Sequence, residues 1–319
     1  MSVMAIIVTY YPDAHYFKEL INCLASQVEE ILIVDNTPAE QDIAFSTLTA
    51  QCKNLEQLRM IRLGRNYGIA AALNVGIDVA ITEGFSHILL SDQDSLPTES
   101  MVAGLFQAEQ ELLSEGHKVA GIGPLIRDLV TEMDYSFQTQ VPGDIFYSNK
   151  FPTQEKPNVC VTSLITSGML MPTAAIEQIG NMREELFIDH VDVEWCHRAI
   201  ASGYELFGTG YGTLQHRLGD GYIRVWYFGW QNISQYSPLR LYYRFRNFIF
   251  LLQQSYIPLR WKIRAMWYWL GFFYSHVIFS SNRLKNLLAV VRGVWDGIVG
   301  TMGPYRGSFF SKSNYNDKS

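Results

Sequence analysis

Short apolar runs alternate with longer amphipathic stretches through the first half of the chain. The apolar runs predict strands, and apolar positions spaced three or four residues apart predict helices. Strands are expected at 3–9, 31–34, 58–63 and 86–90, and helices at 14–27, 41–51, 68–81 and 99–114. Continuous apolar strands separated by helices indicate a mostly parallel sheet covered on both faces, which is a Rossmann-like α/β fold.

The second half of the chain has a less regular pattern. Residues 127–158 are polar and rich in Pro and Gly, so a long loop or an irregular excursion is expected there. The later elements are expected to be a β-like run at 159–171, a helix at 192–201, a strand at 204–209, a glycine-punctuated loop at 210–221, aromatic helices at 239–254 and 259–279, and a polar tail at 312–319.

Composition and charge divide the chain into two parts. Hydrophobic residues make up 48% of the 319 residues, which is enough for a large core and excludes a disordered chain. The net charge of −6 hides an asymmetry, because from residue 221 onward 13 Lys or Arg accompany only 2 Asp or Glu. Six of the seven tryptophans also lie in that basic part. The acidic part before residue 221 and the basic, aromatic part after it are expected to have different functions.

The cysteines and the N-terminus indicate a cytoplasmic protein. The four cysteines are widely spaced and form no C-x-x-C pair, which argues against a zinc site or a disulfide framework. No basic segment precedes the first apolar run, as a signal peptide would require.

Two carboxylates, Asp92 and Asp94, come directly after the predicted strand at 86–90. Carboxylates two residues apart at a strand end can converge on one Mg²⁺ or Mn²⁺ ion, since these ions prefer oxygen ligands. A D-x-D pair is also common in surface turns, where aspartates accept backbone hydrogen bonds. The position after a parallel strand favours the metal site, because ligands bind beyond the carboxyl ends of such strands.

Polar residues also end the first two predicted strands. The Asp35 carboxylate can accept the N3–H of a uracil or thymine ring, with Thr9 and Tyr10 flanking the base. A simple turn formed by Asp35 and Asn36 is the alternative.

The segment with Arg65, Asn66 and Gly68 lies between a predicted strand and a predicted helix. Gly68 lets the backbone approach a ligand, and a helix N-terminus favours an anion such as a diphosphate. Ordinary packing at a helix start is the alternative.

Three acids, Asp189, Asp192 and Glu194, crowd the start of a predicted helix. The helix dipole by itself favours acids in a first turn. The functional alternative is a general base that removes a proton from an acceptor hydroxyl. Further along, His216 can complete the metal site that the D-x-D pair begins, although a lone histidine is more often structural.

Together these motifs resemble the family 2 glycosyltransferases, which have the GT-A fold. The matching segments, spread over Val3 to Asn247, are IIVTYYP, ILIVDN, NYGIAAALNVGI, LLSDQDS, TSGMLMP, FIDHVDVEWCHRA and GTLQHRLGD. Within the family, the sequence is similar to rhamnosyltransferases of bacterial surface-polysaccharide assembly, such as O-antigen or capsule. The closest points are DNT, RNYGIAAALN, SDQDS, IDHVDVEWCHR and LYYRFRN.

The resemblance implies a role for each matched residue. The roles are base binding for Thr9, Tyr10 and Asp35, phosphate and ribose binding for Arg65, Asn66 and Gly68, ribose and metal binding for Asp92, and metal binding for Asp94 and His216. Asp192 aligns with the catalytic base. The family's usual Glu-Asp pair is Val191-Asp192 here, so Asp189 is the alternative base.

The resemblance also implies an inverting transfer that depends on Mg²⁺ or Mn²⁺. The expected donor is dTDP-β-L-rhamnose, and the expected acceptor is a hydroxyl of a lipid-linked glycan. The alternatives are a UDP-sugar donor for galactofuranosyl, glucosyl or N-acetylhexosaminyl transfer, and a non-catalytic nucleotide-sugar-binding protein. The catalytic domain is expected at 1–238, with a donor-binding half at about 1–125 and an acceptor half at about 126–238.

The C-terminal part, 239–311, is expected to associate with a membrane. Its segment WKIRAMWYWLGFFYSHVIF is flanked by cations and rich in Trp and Tyr, which favours a helix lying in the bilayer interface. A buried aromatic helix is the alternative. No nucleic-acid recognition motif accompanies the basic charge, so nucleic acid is not an expected partner. The expected location is peripheral, at the inner face of the cytoplasmic membrane.

Overall fold

The computed structural model describes residues 2–41, 49, 52, 55–128, 132–139, 147–216, 222–226 and 229–307. The chain forms two compact units. The first comprises Met1–Arg183 and Asp192–Arg217, and the second comprises Glu184–Val191 and Leu218–Ser319. The division lies earlier than residue 238, because the segment after residue 217 belongs to the same unit as the C-terminal helices.

A central sheet organises the first unit. The strands of this sheet, in chain order, are β1 (Val3–Thr9), β2 (Glu30–Asp35), β3 (Leu58–Arg62), β4 (His87–Asp92), β5 (Ser95–Pro97), β6 (Val119–Asp128), β9 (Asn158–Val161), β10 (Leu170–Pro172) and β11 (Glu205–His216). The strands β7 (Phe137–Thr139) and β8 (Ser148–Lys150) form a separate pair. The strand order is β3-β2-β1-β4-β10-β6-β11-β5, and β9 pairs with β11.

Most of these strands run in one direction. Strands β1 to β4, β6 and β11 are parallel to one another, whereas β5, β9 and β10 run antiparallel to their neighbours. The mostly parallel sheet predicted from the sequence is therefore confirmed. Every residue of β1 is buried, which is the reason that this strand is a continuous apolar run.

Five helices accompany the strands of the first unit in the described residues: α1 (Ala14–Leu24), α2 (Ile69–Thr82), α3 (Met101–Ser114), α4 (Thr173–Ile179) and α5 (Val191–Ala201). Asp13 caps α1 by accepting hydrogen bonds from the backbone N–H groups of His15 and Tyr16. Gly76 packs α2 so closely on β1 that a Cβ there would lie 2.5 Å from Ile6 Cγ2. Small residues in α2 thus serve close helix-to-sheet packing.

Several sequence expectations were wrong in detail. The segment 127–158 contains the end of β6 and the short strands β7 and β8, and the run at 159–171 is split between β9 and β10. The loop expected at 210–221 is instead a continuation of β11 as far as His216. Gly212 is needed there for close approach, since a Cβ would lie 2.9 Å from the Met101 carbonyl oxygen. Most of the helix expected at 41–51 lies outside the described residues.

The second unit is built from helices and a hairpin. Its elements are the hairpin strands β12 (Tyr222–Trp226) and β13 (Trp230–Ser234), helices α6 (Pro238–Gln253) and α7 (Leu259–Tyr274), a π-helical segment Ser275–Phe279, and helix α8 (Arg283–Val299). Both aromatic helices predicted from the sequence are present as α6 and α7 with its π-helical extension. Among the helices that the structure describes, none combines the length and apolar character needed to cross a membrane.

Candidate active site

The carboxyl ends of β1, β2 and β4 meet at one edge of the sheet. In the strand register Thr9 lies opposite Asp35, and Val8 lies opposite Asp92. The side chain of Thr9 donates a hydrogen bond to Asp35 Oδ1 at 2.9 Å. Polar groups that are far apart in the sequence therefore gather beyond these strand ends, where sheets of this kind bind ligands.

Asp35 is buried, and its two carboxylate oxygens differ in their hydrogen bonds. Oδ1 accepts hydrogen bonds from Thr9 Oγ1, from the backbone N–H of Thr37 at 3.2 Å and from Thr37 Oγ1 at 2.7 Å. Among the described residues no donor reaches Oδ2. The carboxylate is fixed through one oxygen, and the other remains available to accept a ligand N–H.

The loop that enters α2 is held by two asparagines. Asn36 Nδ2 donates to Asn66 Oδ1 at 3.1 Å, and the backbone N–H of Tyr67 donates to Asn36 Oδ1 at 2.8 Å. Asn66 Oδ1 also accepts the N–H of Gly68. Gly68 precedes α2 with φ +91°, a conformation that glycine adopts readily and other residues rarely do. It has no side chain to cap the helix. The backbone N–H groups of this helix start suit an anion.

Arg65 and Tyr10 are held at the same edge by different means. The guanidinium carbon of Arg65 lies 4.2 Å from the ring centroid of Tyr67. The backbone of Tyr10 is held by Gln93, whose Oε1 accepts the Tyr10 N–H at 2.7 Å and whose Nε2 donates to the Tyr10 carbonyl. Gln93 lies between the two aspartates of the D-x-D motif, so it ties that motif to the end of β1.

Serine side chains hold the backbone of the D-x-D motif. The backbone N–H of Asp92 donates to Ser167 Oγ at 3.1 Å, and Ser167 Oγ donates to Ser95 Oγ at 2.7 Å. Asp92 is half-buried and Asp94 is exposed. Sequence reasoning missed Thr37, which bonds Asp35 locally. It also missed Gln93 and Ser167, because a position next to a motif does not reveal a long-range hydrogen bond.

His216 reaches the same region through strand pairing. Its backbone lies opposite Ser95, the residue that follows Asp94. The His216 side chain is outside the described part of the structure. Within the described part, no three His, Cys, Asp or Glu side chains are close enough together to hold a metal ion. The two aspartates alone are an oxygen donor set that suits Mg²⁺ or Mn²⁺.

The three acids near α5 have different environments. Glu194 is fully buried and is paired with Arg183 at 3.1 Å and with Arg198 at 2.9 Å, so it is structural. Asp192, in the first turn of α5, is half-buried, and its Oδ1 accepts the Val193 N–H at 2.8 Å.

Asp189 belongs to the second unit and is ion-paired there. Its Oδ1 lies 2.9 Å from Arg240 Nη2 and 3.3 Å from Arg244 Nη1. Burial alone would raise the pKa of Asp189, but the charges of the two arginines and the hydrogen bond from Arg240 hold it below its ordinary value. The Asp189 carboxylate is thus charged and is already bound by two arginines.

Residues 5–114, which contain the polar residues from Thr9 to Asp94 at this edge of the sheet, match the model of the family described as Glycosyl transferase family 2. The resemblance to that family expected from the sequence is confirmed. Over 302 residues this chain is 29% identical to the dTDP-rhamnosyl transferase RfbF of Shigella flexneri, and the alignment covers 95% of this chain and 97% of the relative.

Solved structures share the fold of this chain. GalNAc-T7 with UDP, GalNAc and Mn²⁺ is similar with a TM-score of 0.59 at 13% identity over 80% of this chain and 49% of that chain. The S. aureus TarS 1–349 complex with UDP-GlcNAc has a TM-score of 0.54 at 17% identity over 93% of this chain and 81% of that chain. The chain thus spans about half the length of the GalNAc-T7 chain. The expected GT-A fold is confirmed.

Proposed function

We propose that this glycosyltransferase moves L-rhamnose from dTDP-β-L-rhamnose to a hydroxyl of a lipid-linked saccharide during cell-surface polysaccharide synthesis. The single observation that carries the donor is the 29% identity to a dTDP-rhamnosyl transferase over nearly the whole of both chains. The polar edge of the sheet, from Thr9 to Asp94, supplies groups that suit a nucleoside diphosphate.

The nucleotide is bound by the ends of β1 and β2 and by the start of α2. Asp35 accepts the N3–H of the thymine ring through its available oxygen, while Thr9 and Tyr10 flank the base. Arg65, Asn66 and Gly68 face the phosphates and ribose, where positive charge and backbone N–H groups stabilise negative charge.

Asp92, Asp94 and His216 are the residues that would hold Mg²⁺ or Mn²⁺. A fit to such an ion is supported by the exposed Asp94 carboxylate, which has no ion-pair partner among the described residues. When bound, a divalent ion neutralises the charge of the departing diphosphate. Asp92 is the residue that also serves the ribose.

The proposed base is Asp192. It removes the proton of the acceptor hydroxyl as that oxygen attacks the anomeric carbon, and the bond to the dTDP oxygen breaks on the opposite face. The anomeric configuration is inverted, so a β-L-rhamnosyl donor gives an α linkage. The ion pairs of Asp189 with two arginines favour Asp192 over Asp189 for this role, because a carboxylate held by cations is a weaker base.

A lipid-linked acceptor places the reaction at a membrane. We propose that the enzyme acts as a peripheral protein at the inner face of the cytoplasmic membrane, with the C-terminal unit as the part that contacts lipid.

The donor is tested by nucleotide binding and by transfer. Melting temperature is measured with dTDP, UDP, GDP or NAD, each with and without Mn²⁺, since a ligand that binds the native state raises it. Rhamnose transfer from dTDP-β-L-rhamnose to a panel of synthetic lipid-diphosphate saccharides is followed by mass spectrometry, and the product linkage by NMR. Selective stabilisation by dTDP and an α-linked product are expected. Stabilisation by UDP and not by dTDP would contradict the proposed donor.

A further inference from the structure

Helix α8 has one face that is fixed against α6. Gly293 and Gly297 allow the two helices to approach closely, since a Cβ on Gly297 would lie 2.7 Å from the Arg246 carbonyl oxygen. Asn286, Ala289 and Val290 of α8 are also buried. Close packing through small residues determines which side of α8 faces outward.

The outward side of α8 is a stripe of large apolar residues. Their spacing alternates between four and three residues, which places them on one helix face. The stripe consists of Leu284, Leu288, Val291, Trp295 and Ile298, with exposed fractions between 41% and 69%. A surface helix of a water-soluble protein normally presents polar side chains there.

Helix α7 repeats this arrangement. Trp261, Trp269 and Phe272 form its buried face. The exposed face carries Leu259, Ile263, Met266, Trp267 and Leu270, with exposed fractions between 51% and 73%. Ten large apolar side chains on two helices of the same unit therefore face solvent, far more than scattered surface residues would provide.

The charges beside these stripes are positive. On α7, Arg260 and Arg264 are exposed beside the apolar stripe, and Arg283 and Lys285 are exposed at the start of α8. In residues 221–307 the only acid is Asp296. Asp296 is buried and accepts hydrogen bonds from Tyr242 at 2.8 Å and Arg292 at 3.0 Å.

From these observations, the geometry points to the exposed stripes of α7 and α8 as a docking surface for an anionic lipid bilayer. The apolar side chains enter the interface, with Trp267 and Trp295 as anchors at headgroup depth. The exposed cations attract anionic headgroups, and Asp296, the only acid in residues 221–307, is buried and does not repel them. This inference rests on the proposed function, to which it adds the surface and the lipid class.

The test is flotation of the full-length chain with vesicles. The wild type is expected to float with phosphatidylcholine vesicles that contain about a quarter phosphatidylglycerol, to float weakly with phosphatidylcholine alone, and to be released by high salt. The double variant Trp267→Glu/Trp295→Glu is expected to lose flotation by about tenfold or more, since it places charges in the interface. Leu113→Glu, at a residue 52% exposed on α3, is the matched control and is expected to float normally.

Three outcomes would overturn the docking surface. They are no flotation of the wild type, undiminished flotation of the double variant, and a wild-type dimer that the double variant converts to monomers in light scattering. The last result would assign the stripes to a second copy of the chain. Stabilisation by dTDP is measured on the same preparations, so that a wild type that binds dTDP but does not float refutes the surface and leaves the proposed enzyme standing.

Discussion

The carboxylate of Asp189 is held by the guanidinium of Arg240, with 2.9 Å between Asp189 Oδ1 and Arg240 Nη2. Fifty-one positions separate the two residues in the sequence. Arg244 binds the same oxygen, and Asp189 itself has a positive φ of 62°. The ion pairs with Arg240 and Arg244 therefore give Asp189 a structural role in the second unit. Of the two candidate bases, this ion pairing favours Asp192 as the proposed one.

Replacing Asp192 by Asn is expected to abolish transfer while leaving nucleotide binding intact. The amide cannot accept the acceptor proton, so the rate should fall by about a hundredfold or more. Transfer rates and the dTDP-induced melting shift measure the two effects separately. Near-normal transfer by this variant would refute the base assignment.

Replacing Asp189 by Asn is expected to destabilise the fold by about 3 kcal/mol, because Arg240 and Arg244 lose their buried counter-ion. The pair also predicts a pH dependence. A carboxylate whose folded pKa is lowered contributes its full stability above its unfolded pKa of about 3.9 and loses it as the pH falls through the lower folded value. Urea unfolding at pH 7 and pH 3 should show a smaller pH effect in the variant than in the wild type.

Asp35→Asn is expected to weaken dTDP binding by about tenfold to a hundredfold, since a buried carboxylate acceptor is worth about 1–3 kcal/mol to a bound N–H. Thr37→Val is the matched control, because it removes a hydrogen bond to Oδ1 and keeps the carboxylate. Calorimetric titration with dTDP measures both. Equal losses of affinity in the two variants would mean that the Asp35 carboxylate only shapes the loop.

Glu194→Ala is expected to cost about 3–5 kcal/mol, because it leaves Arg183 and Arg198 beside an empty position in the core. Glu83→Ala removes an exposed ion pair with Arg59 and should leave the melting temperature nearly unchanged. Thermal unfolding of the two variants makes the comparison. A Glu194 variant as stable as the wild type would show that α5 does not depend on this pair.

The buried His190 imidazole is expected to make the folded protein less stable in mild acid. Burial, with the nearby charge of Arg244, lowers the pKa of His190 to about 4 from an ordinary value of 6.5. Between these values the unfolded chain binds a proton that the folded chain does not, so stability falls as the pH drops from 6.5 toward 4. His190→Gln should flatten part of this dependence, and His15→Gln, at an imidazole 76% exposed, should not. Melting curves at pH 7 and pH 5 provide the measurement.

The sequence by itself determined the first unit's parallel strands and the polar residues that end them. Buried strands covered on both faces must be continuously apolar, so β1, β2 and β4 are visible as runs, and each ends at a polar residue. The motif residues Thr9, Asp35 and Asp92 could be assigned to one edge because parallel strands all end there.

The tertiary structure alone decided which neighbours hold those residues. Gln93 binds the backbone of Tyr10 across 83 positions, and Ser167 binds Asp92 across 75, and no local pattern encodes such pairs. The continuation of β11 through Gly212 was likewise hidden, since glycine signals a turn in a sequence but here permits close contact with Met101. The different environments of Asp189 and Asp192 also arise from packing, because burial and distant arginines, not sequence spacing, set the charge around a carboxylate.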